Sequence, residues 1–326
     1  MANKLNIVEA VNQALMDEMK RDETIVVYGE DVGVEGGVFR ATVDLQKKFG
    51  KDRAFDTPLA ESAIVGTGIG MAINGLKPVV EMQFMGFSYP AFNQIISHVA
   101  RMRNRSRGRY TLPMVIRAPY GGGIRALEHH SESTEALYAH IPGLKVVCPS
   151  TAKDAKGLIK AAIRDDDPVI FLEHKLLYAR KEEVPEEEYI IPLGQADVKR
   201  EGKDITIITW SRQVYFALEA AEELAKEGID AEVLDLRTLV PLDWEAIRES
   251  VCKTHNVVVV HEGVKRSGYG GELSAQITEE LFDELDSPVT RVAALNVVPP
   301  FAPTLEDAFF PHPEDIVKAV KKVLNR

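Results

Sequence analysis

The sequence predicts an α/β protein of two domains, each with a mostly parallel sheet that is covered by helices. Short aliphatic runs alternate with longer segments of helical periodicity along almost all of the 326 residues. Strands that are apolar on both faces and separated by helices are typical of parallel sheets buried on both sides. The alternation stops at the charged segment 180–189 and then starts again. The charged composition of this segment is typical of a linker between domains. We therefore predict two domains, 1–185 and 186–326.

The individual elements follow from periodicity and from helix-capping residues. In the first domain, apolar side chains recur on one helical face of residues 6–19, which predicts a helix there. Further helices are predicted at 61–74, 89–103 and 151–164, and strands at 24–28, 78–82, 114–118, 146–148 and 169–172. In the second domain, strands are predicted at 205–209, 231–234, 257–260 and 289–292, and helices at 215–227, 244–253, 272–285 and 314–324.

The composition excludes some function classes. The chain has 39 Lys and Arg against 50 Asp and Glu, a formal charge of -11. This balance disfavours binding to nucleic acid or to an anionic membrane and suits a basic protein partner. No segment approaches the roughly 20 apolar residues of a membrane span, and the first residues lack the apolar core of a signal peptide. With only Cys148 and Cys252 in a large chain, we expect a reduced, cytoplasmic protein.

Ligands of open α/β sheets lie beyond the carboxyl ends of the strands. A dinucleotide site would place a Gly-x-Gly-x-x-Gly turn after the first strand, but here an acidic loop, 28–33, follows. The chain has no phosphate-binding loop of the Gly-x-x-x-x-Gly-Lys type and no Gly-x-Ser-x-Gly nucleophile turn. The side chains of His129 and His130 diverge because the two residues are adjacent, so they make a poor metal-chelating pair.

Two features of the helix at 61–74 leave alternatives open. Gly66 and Gly70 are one turn apart, which allows close approach of another helix, either within the chain or across a subunit boundary. Glu61, at the start of the helix, can simply satisfy exposed backbone N–H groups. Alternatively, its carboxylate can be held in a partly buried place where it exchanges a proton.

An ordered set of motifs favours the functional role of Glu61. Residues 56–61, Asp-Thr-Pro-Leu-Ala-Glu, followed by Gly66 and Gly70, resemble the pyrimidine-binding domain of thiamine diphosphate enzymes. The other motifs lie at 28–33, 36–39, 121–123, 130–131, 142–147, 154–158 and 235–238. Together they resemble the beta subunit of the decarboxylating component of 2-oxo acid dehydrogenase complexes, above all the bacterial pyruvate dehydrogenase beta subunits. The resemblance spans nearly the whole chain and implies a pyrimidine-binding first domain and a transketolase-like second domain that drives association.

The resemblance implies an enzyme subunit that acts with thiamine diphosphate. The implied reaction is the oxidative decarboxylation of pyruvate, with acetyl transfer to a lipoyl group of the dihydrolipoyl acetyltransferase core. Branched-chain 2-oxo acid dehydrogenase and acetoin-cleaving beta subunits remain alternatives, because pocket shape decides among substrates. Two alternative functions come from other functional classes. The chain could be a non-catalytic scaffold subunit or an NAD-binding oxidoreductase.

The resemblance also assigns roles to individual residues. Glu61 matches the acid that hydrogen-bonds a pyrimidine ring nitrogen, and His130 matches the active-site histidine. Phe87 falls where the family places an aromatic ring against the pyrimidine; the alternative is a core Phe. Glu30 either approaches the pyrimidine or is a solvated loop acid. A structural potassium ion is implied among backbone carbonyls of Met114, Ala162, Ile163, Asp165 and Asp167.

Missing motifs imply a second subunit. The family holds the diphosphate and Mg²⁺ with a Gly-Asp-Gly segment and an Asn pair, and this chain has neither. The resemblance therefore implies an alpha subunit that supplies them, with the cofactor shared in a heterotetramer of two alpha and two beta chains. It also implies docking of a small basic domain, the peripheral subunit-binding domain of the acetyltransferase. The acidic stretch, defined as Glu279, Glu280, Asp283, Glu284 and Asp286, is either that docking surface or a solvated helix face.

Overall fold

The computed structural model describes residues 3–325 and divides into two compact units. The first unit comprises the residues described up to Tyr120 together with Leu137–Leu193. The second comprises Gly121–Ala136 and the residues described from Gly194 onward. Each unit contains a mostly parallel sheet with helices packed against it, so the predicted fold class is confirmed.

The first unit is built on six parallel strands in the order β6-β7-β5-β4-β2-β3. Its strands are β1 Asn3–Leu5, β2 Ile25–Gly29, β3 Ala54–Asp56, β4 Lys77–Glu81, β5 Val115–Tyr120, β6 Lys145–Val147, β7 Val169–His174 and β8 Glu182–Val184. The α-helices up to residue 193 are α1 Ile7–Arg21, α2 Leu45–Phe49, α3 Glu61–Ile73, α4 Phe92–Gln94, α5 Met102–Arg105, α6 Glu135–Ala139 and α7 Ala152–Arg164. Helix α1 begins with a capping box between Asn6 and Glu9, and Thr151 caps α7 through the backbone N–H of Asp154.

Two predicted elements of the first unit differ from the structure. The segment predicted as a helix at 89–103 is helical but is not one regular α-helix: it comprises a 3₁₀ helix Met85–Ala91, α4, a π-helix Ile95–Val99 and α5. Pro90 lies inside the 3₁₀ helix, and its missing N–H and its ring prevent a regular α-helix there. The charged segment 180–189 is not wholly a solvated linker, because β8 pairs antiparallel with β1. Only Val184 of this strand is buried, too little to give an apolar period.

The second unit contains a five-stranded sheet in the order β14-β13-β10-β11-β9, in which only β9 is antiparallel. The strands of this sheet are β9 Asp197–Arg200, β10 Ile205–Thr209, β11 Ala231–Asp235, β13 Val257–Val264 and β14 Thr290–Ala294. A further short strand of the second unit, β12 Thr238–Val240, is not part of this sheet. The helices of the second unit are α8 Gln213–Lys226, α9 Trp244–Thr254, α10 Tyr269–Glu280, α11 Pro303–Phe309 and α12 Pro313–Val323.

Alternation along β10 explains how helices cover both faces of this sheet. Ile205 and Ile207 point to one face, where they join the core formed with α8 and α12. Thr206 points to the other face and hydrogen-bonds Thr254 of α9 at 2.8 Å. Helix α11 was not predicted; it begins with Pro303, a favoured first helical residue. Across residues 3–325, no helix has both the length and the apolar character needed to cross a membrane.

Candidate active site

Two acidic side chains lie near each other at the carboxyl end of the first sheet. Glu30 follows β2 directly, and Glu61 is the first residue of α3. Burial raises the pKa of Glu30, and the negative charges of Asp31 and Glu61 raise it further. The backbone N–H of Thr57 donates to the Gly29 carbonyl at 3.0 Å, so the segment that leads into α3 lies beside the end of β2. The side chains of Glu30 and Glu61 are only partly buried, so a ligand can reach them.

The local structure is compatible with both roles of Glu61. Ala60, the N-cap of α3, offers no side-chain hydrogen bond, and Glu61 is the acidic residue of the first turn. A carboxylate there stabilises the helix through the helix dipole. The same position keeps the carboxylate accessible at the sheet edge, so it can also accept a hydrogen bond from a bound ring.

Phe87 belongs to the 3₁₀ helix beside α3. Ser62 of α3 donates a hydrogen bond to the carbonyl of Pro90, which joins the two helices. The Phe87 ring packs edge-on against Phe84 with centroids 5.1 Å apart, and the side chain is half-buried. The structure therefore brings Glu30 and Glu61 together and places the helix that carries Phe87 beside them.

A buried charged network lies at the same end of the sheet, and sequence reasoning missed it. Arg117 on β5 donates to both oxygens of Glu173 on β7, at 2.8 and 2.7 Å, and also to Glu81 on β4. Tyr178 donates to Glu173 at 2.8 Å. Burial raises the pKa of Glu81 and, together with the Glu173 charge, that of Tyr178. Although burial opposes it, the Glu173 and Glu81 charges raise the pKa of Arg117 above its usual value. The sequence does contain a signal for this network, because each of three aliphatic strands carries a charged residue.

This network supports the loop that follows Glu30. A Cβ on Gly37 would lie 2.9 Å from Oε1 of Glu81, and its φ of +81° favours glycine. Nearer to Glu30 in the same loop, the backbone N–H of Gly33 donates to Asp56 at 2.6 Å. The acidic loop therefore packs against the buried carboxylate of Glu81 and is hydrogen-bonded to the exposed carboxylate of Asp56.

His130 belongs to the second unit, in a 3₁₀ turn Glu128–His130 within the segment 121–136. The two adjacent histidines have different surroundings. His129 is exposed, and its Nδ1 is 3.3 Å from Oε1 of Glu128. His130 is partly buried, and its Nδ1 is shielded from solvent. Within residues 3–325, no cluster of three or more His, Cys, Asp or Glu side chains is arranged to hold a metal ion.

The five residues assigned to potassium lie in two neighbouring stretches of the first unit. Met114 precedes β5, while Ala162 and Ile163 lie in the last turn of α7 and Asp165 caps it. The stretches are adjacent because Leu112 donates to the Asp166 carbonyl at 3.0 Å and Val169 to the Met114 carbonyl at 2.9 Å. Carbonyls at the end of a helix carry partial negative charge and favour a cation. The backbone there is compatible with the ion.

Comparison with known proteins accounts for this arrangement. Residues 3–181 match the family model described as transketolase, pyrimidine binding domain, and residues 194–316 match transketolase, C-terminal domain. The chain is 52% identical over 320 residues to the pyruvate dehydrogenase E1 component subunit beta of Acholeplasma laidlawii, covering 98% of each chain. It is 50% identical over 321 residues to the 2-oxoisovalerate dehydrogenase subunit beta of Bacillus subtilis, again covering 98% of each.

The chain belongs to the beta-subunit family of 2-oxo acid dehydrogenases. The resemblance predicted from the motifs is thereby confirmed. A solved structure titled split gene transketolase, inactive beta4 tetramer, superposes with a TM-score of 0.81 at 26% identity and covers 99% of both chains. The two-domain transketolase-like fold is therefore shared with this neighbour.

The residue ranges that match the two family models differ from those of the two compact units. The pyrimidine-binding match runs through residue 181 without interruption and includes the segment 121–136. By its contacts, however, this segment belongs with the C-terminal residues. In this beta-subunit family member, the predicted histidine is therefore supported by residues far along the sequence.

Proposed function

We propose that this chain is the beta subunit of a thiamine diphosphate-dependent pyruvate dehydrogenase (acetyl-transferring). The reaction is the oxidative decarboxylation of pyruvate with acetyl transfer to a lipoyl group on the dihydrolipoyl acetyltransferase core. The observation that carries this proposal is the 52% identity with a pyruvate dehydrogenase E1 beta subunit over 98% of both chains. The acids Glu30 and Glu61 at the carboxyl end of a parallel sheet add a site where such chemistry can take place.

The residues of the first unit suit the pyrimidine end of the cofactor. Thiamine diphosphate supplies the carbanion chemistry of decarboxylation when it is bound. Glu61 is proposed to accept a hydrogen bond at a pyrimidine nitrogen, and Phe87 to contact the ring. Glu30, whose pKa is raised by burial and by its acidic neighbours, is proposed to exchange protons near that end. His130 is proposed to orient or protonate the reacting substrate near neutral pH.

The proposed partners supply what the chain lacks. An alpha subunit would hold the diphosphate and Mg²⁺ with the Gly-Asp-Gly segment and Asn pair that are absent here. We propose a heterotetramer of two alpha and two beta chains that shares thiamine diphosphate. The pyrimidine-binding role is assigned to 1–185 and the association role to 186–326. The acidic stretch is proposed to dock the peripheral subunit-binding domain of the acetyltransferase, because its five acids are all exposed.

Potassium is proposed as a structural ion in the first unit. The carbonyls of Met114, Ala162, Ile163, Asp165 and Asp167 would hold it, since carbonyl oxygens suit hard cations. Two of these carbonyls already accept backbone hydrogen bonds, but a carbonyl has a second lone pair for the ion. The ion would hold the end of α7 beside the start of β5.

A branched-chain 2-oxo acid is the second candidate substrate. The observation in its favour is the 50% identity with the 2-oxoisovalerate dehydrogenase subunit beta. A pocket that differs by a methylene discriminates by only about 1–3 kcal/mol. Activity of the assembled enzyme on pyruvate and on 2-oxoisovalerate, compared as kcat/KM, separates the two candidates.

The deciding experiment is Glu61→Gln in the enzyme assembled with its alpha subunit. The amide retains the size of the side chain but removes its negative charge, so we expect kcat to fall about 10²- to 10⁴-fold. Assembly, measured by sedimentation, should be unchanged. Glu23→Gln is the matched control, because Glu23 is an exposed acid at the opposite end of β2. Full activity of Glu61→Gln would exclude the proposed role, and loss of assembly would indicate a helix-capping role instead.

A further inference from the structure

The segment 121–136 is held by the C-terminal residues of the second unit. It carries His129 and His130 on a short 3₁₀ turn and begins with three consecutive glycines. Glycines give a chain great conformational freedom, so this segment needs contacts to keep one conformation. Those contacts come from two buried carboxylates, Glu262 and Glu306.

Glu306 on α11 holds the first part of the segment. Its Oε1 accepts the backbone N–H of Gly123 at 2.9 Å, and its Oε2 accepts Nη1 of Arg125 at 2.9 Å. The same Nη1 donates to the carbonyl of Pro303 at 2.9 Å. The Glu306 side chain is fully buried, and hydrogen bonds to a buried charged group are stronger than those between neutral groups in water.

Glu262 on β13 holds the segment on both sides of the histidine turn. Its Oε1 accepts the backbone N–H of Gly122 at 2.9 Å and the hydroxyl of Ser133 at 3.0 Å. Its Oε2 lies 3.6 Å from Nη1 of Arg212. His130 is therefore placed between two points that are fixed to a single carboxylate oxygen.

Packing fixes the same stretch from another direction. A Cβ on Gly122 would lie 2.0 Å from Cζ of Phe310, so the backbone lies directly on the aromatic ring. A surface turn does not need two buried carboxylates, which are costly to desolvate unless they are well paired. Their use here indicates that the conformation of the turn matters.

We propose that Glu262 and Glu306 are positioning residues that set the place of His130 for the reaction. The inference rests on the proposed function, because that assigns His130 to the active site. Neither carboxylate contacts a reacting atom in this role; each acts through the backbone of segment 121–136. Misplacing a catalytic group by about 1 Å can cost on the order of 10²-fold in rate.

The first test measures the segment itself in the full-length chain and does not depend on catalysis. Glu306→Ala and Glu262→Ala should speed hydrogen exchange of the amides at 122–133 by about tenfold or more, since local opening becomes easier. Glu306→Gln should retain part of the protection because its amide oxygen still accepts from Gly123. Glu314→Gln, an exposed acid on α12, is the control. Unchanged exchange in both Ala variants would overturn the inference.

Arg125→Met repeats this test without changing a buried carboxylate. Its side chain is 40% exposed, so the variant should fold even where an Ala variant does not. It removes the Oε2 contact of Glu306 and leaves the Gly123 contact. We expect faster exchange at 123–126 and little change at Ser133.

The second test measures steady-state kinetics of the enzyme assembled with its alpha subunit. Glu306→Ala should lower kcat for acetylation of the lipoyl domain about tenfold or more, while KM for pyruvate changes less than about threefold. In a His130→Gln background, Glu306→Ala should add almost no further loss, because both act through the same group.

Distinct outcomes separate this inference from the proposed function. If His130→Gln lowers kcat but Glu306→Ala and Glu262→Ala loosen the segment without changing kcat, the positioning role is overturned and the proposed function stands. If His130→Gln is fully active, the assignment of His130 fails, and the positioning role fails with it. Additive losses in the double variant would show that Glu306 acts by another route and would overturn the inference.

Discussion

Gly68 of α3 lies so close to Met114 that a Cβ on the glycine would be 2.6 Å from Cε of the methionine. The hydroxyl of Tyr28 would be 2.8 Å from the same Cβ. A Cβ on Gly70 would meet no atom within 4 Å outside its own helix backbone, and a Cβ on Gly66 would meet only Gln94, at 3.8 Å. Close packing within the chain therefore explains Gly68, while the face with Gly66 and Gly70 is open.

Gly70→Ala tests whether this open face contacts another subunit. In the lone chain we expect the alanine to stabilise α3 by up to about 1 kcal/mol, because glycine is the poorer helix former. In the assembled enzyme the added methyl group should weaken association with the alpha subunit about tenfold or more, as overpacking costs roughly 1–3 kcal/mol. Urea unfolding of the lone chain and titration of the alpha subunit measure the two effects.

Gly68→Ala is the matched substitution at a closed site. It should destabilise the lone chain, by about 1–3 kcal/mol, because Met114 and Tyr28 must move. If Gly70→Ala leaves the affinity for the alpha subunit unchanged, the open face of α3 does not lie in the subunit interface.

Arg117 is expected to be essential for the stability of the first unit. Arg117→Met removes the cation between Glu81 and Glu173 and leaves two buried carboxylates without it. Breaking a buried ion pair in this way costs about 3–5 kcal/mol. Denaturant unfolding of the lone chain measures the loss.

The control for this prediction is Arg103→Met. Arg103 also pairs with an acid, Asp167, but its side chain is 52% exposed. Exposed ion pairs contribute little because water and salt screen them. We expect no measurable change in unfolding free energy. Equal effects of the two substitutions would contradict the stabilising role of the buried network.

Local sequence patterns predicted much of the fold but little of the tertiary pairing. Helices α1, α7 and α12 appear close to their predicted bounds because each has a clear apolar face, and the aliphatic strands do so because they are short continuous apolar runs. The irregular helix types at 85–105 were not predicted, since Pro90 and the change from 3₁₀ to α to π geometry leave no single period. At the site, motifs selected Glu61 and Glu30. The pairing of Arg117 with Glu81 and Glu173, and that of Glu306 with Arg125, join residues far apart in sequence, which no local pattern reports.

Glu135 should make stability depend on pH. Its side chain is buried, and burial is the largest cause that raises its pKa to about 7, with Glu262 adding to the effect. The folded state therefore binds this proton more tightly than the unfolded chain, whose pKa is near 4.5. The contribution to stability is fully present below pH 4.5 and is lost as pH rises through about 7.

Glu135→Gln should remove this dependence. At pH 8 the variant should be more stable than the wild type by up to about 3 kcal/mol, because no charge is buried. At pH 4.5 the difference should disappear. Denaturant unfolding between these pH values measures the slope, with the exposed Glu219→Gln on α8 as the control. A difference that does not change with pH would show that the carboxylate of Glu135 is not responsible.

The acidic stretch predicts salt-dependent docking of the basic binding domain. Its five acids are exposed and flank Phe282 in the sequence, and this residue is 70% exposed. An apolar residue within a charged rim is a common arrangement at protein interfaces.

Asp283→Asn combined with Glu284→Gln should weaken binding of the peripheral subunit-binding domain about tenfold at low salt, and less at high salt. The double variant Glu219→Gln and Glu222→Gln removes the same charge from an exposed face of α8 and should bind normally. Calorimetric titration at two salt concentrations measures both variants, and docking that is insensitive to salt and to the acidic substitutions would place the contact elsewhere.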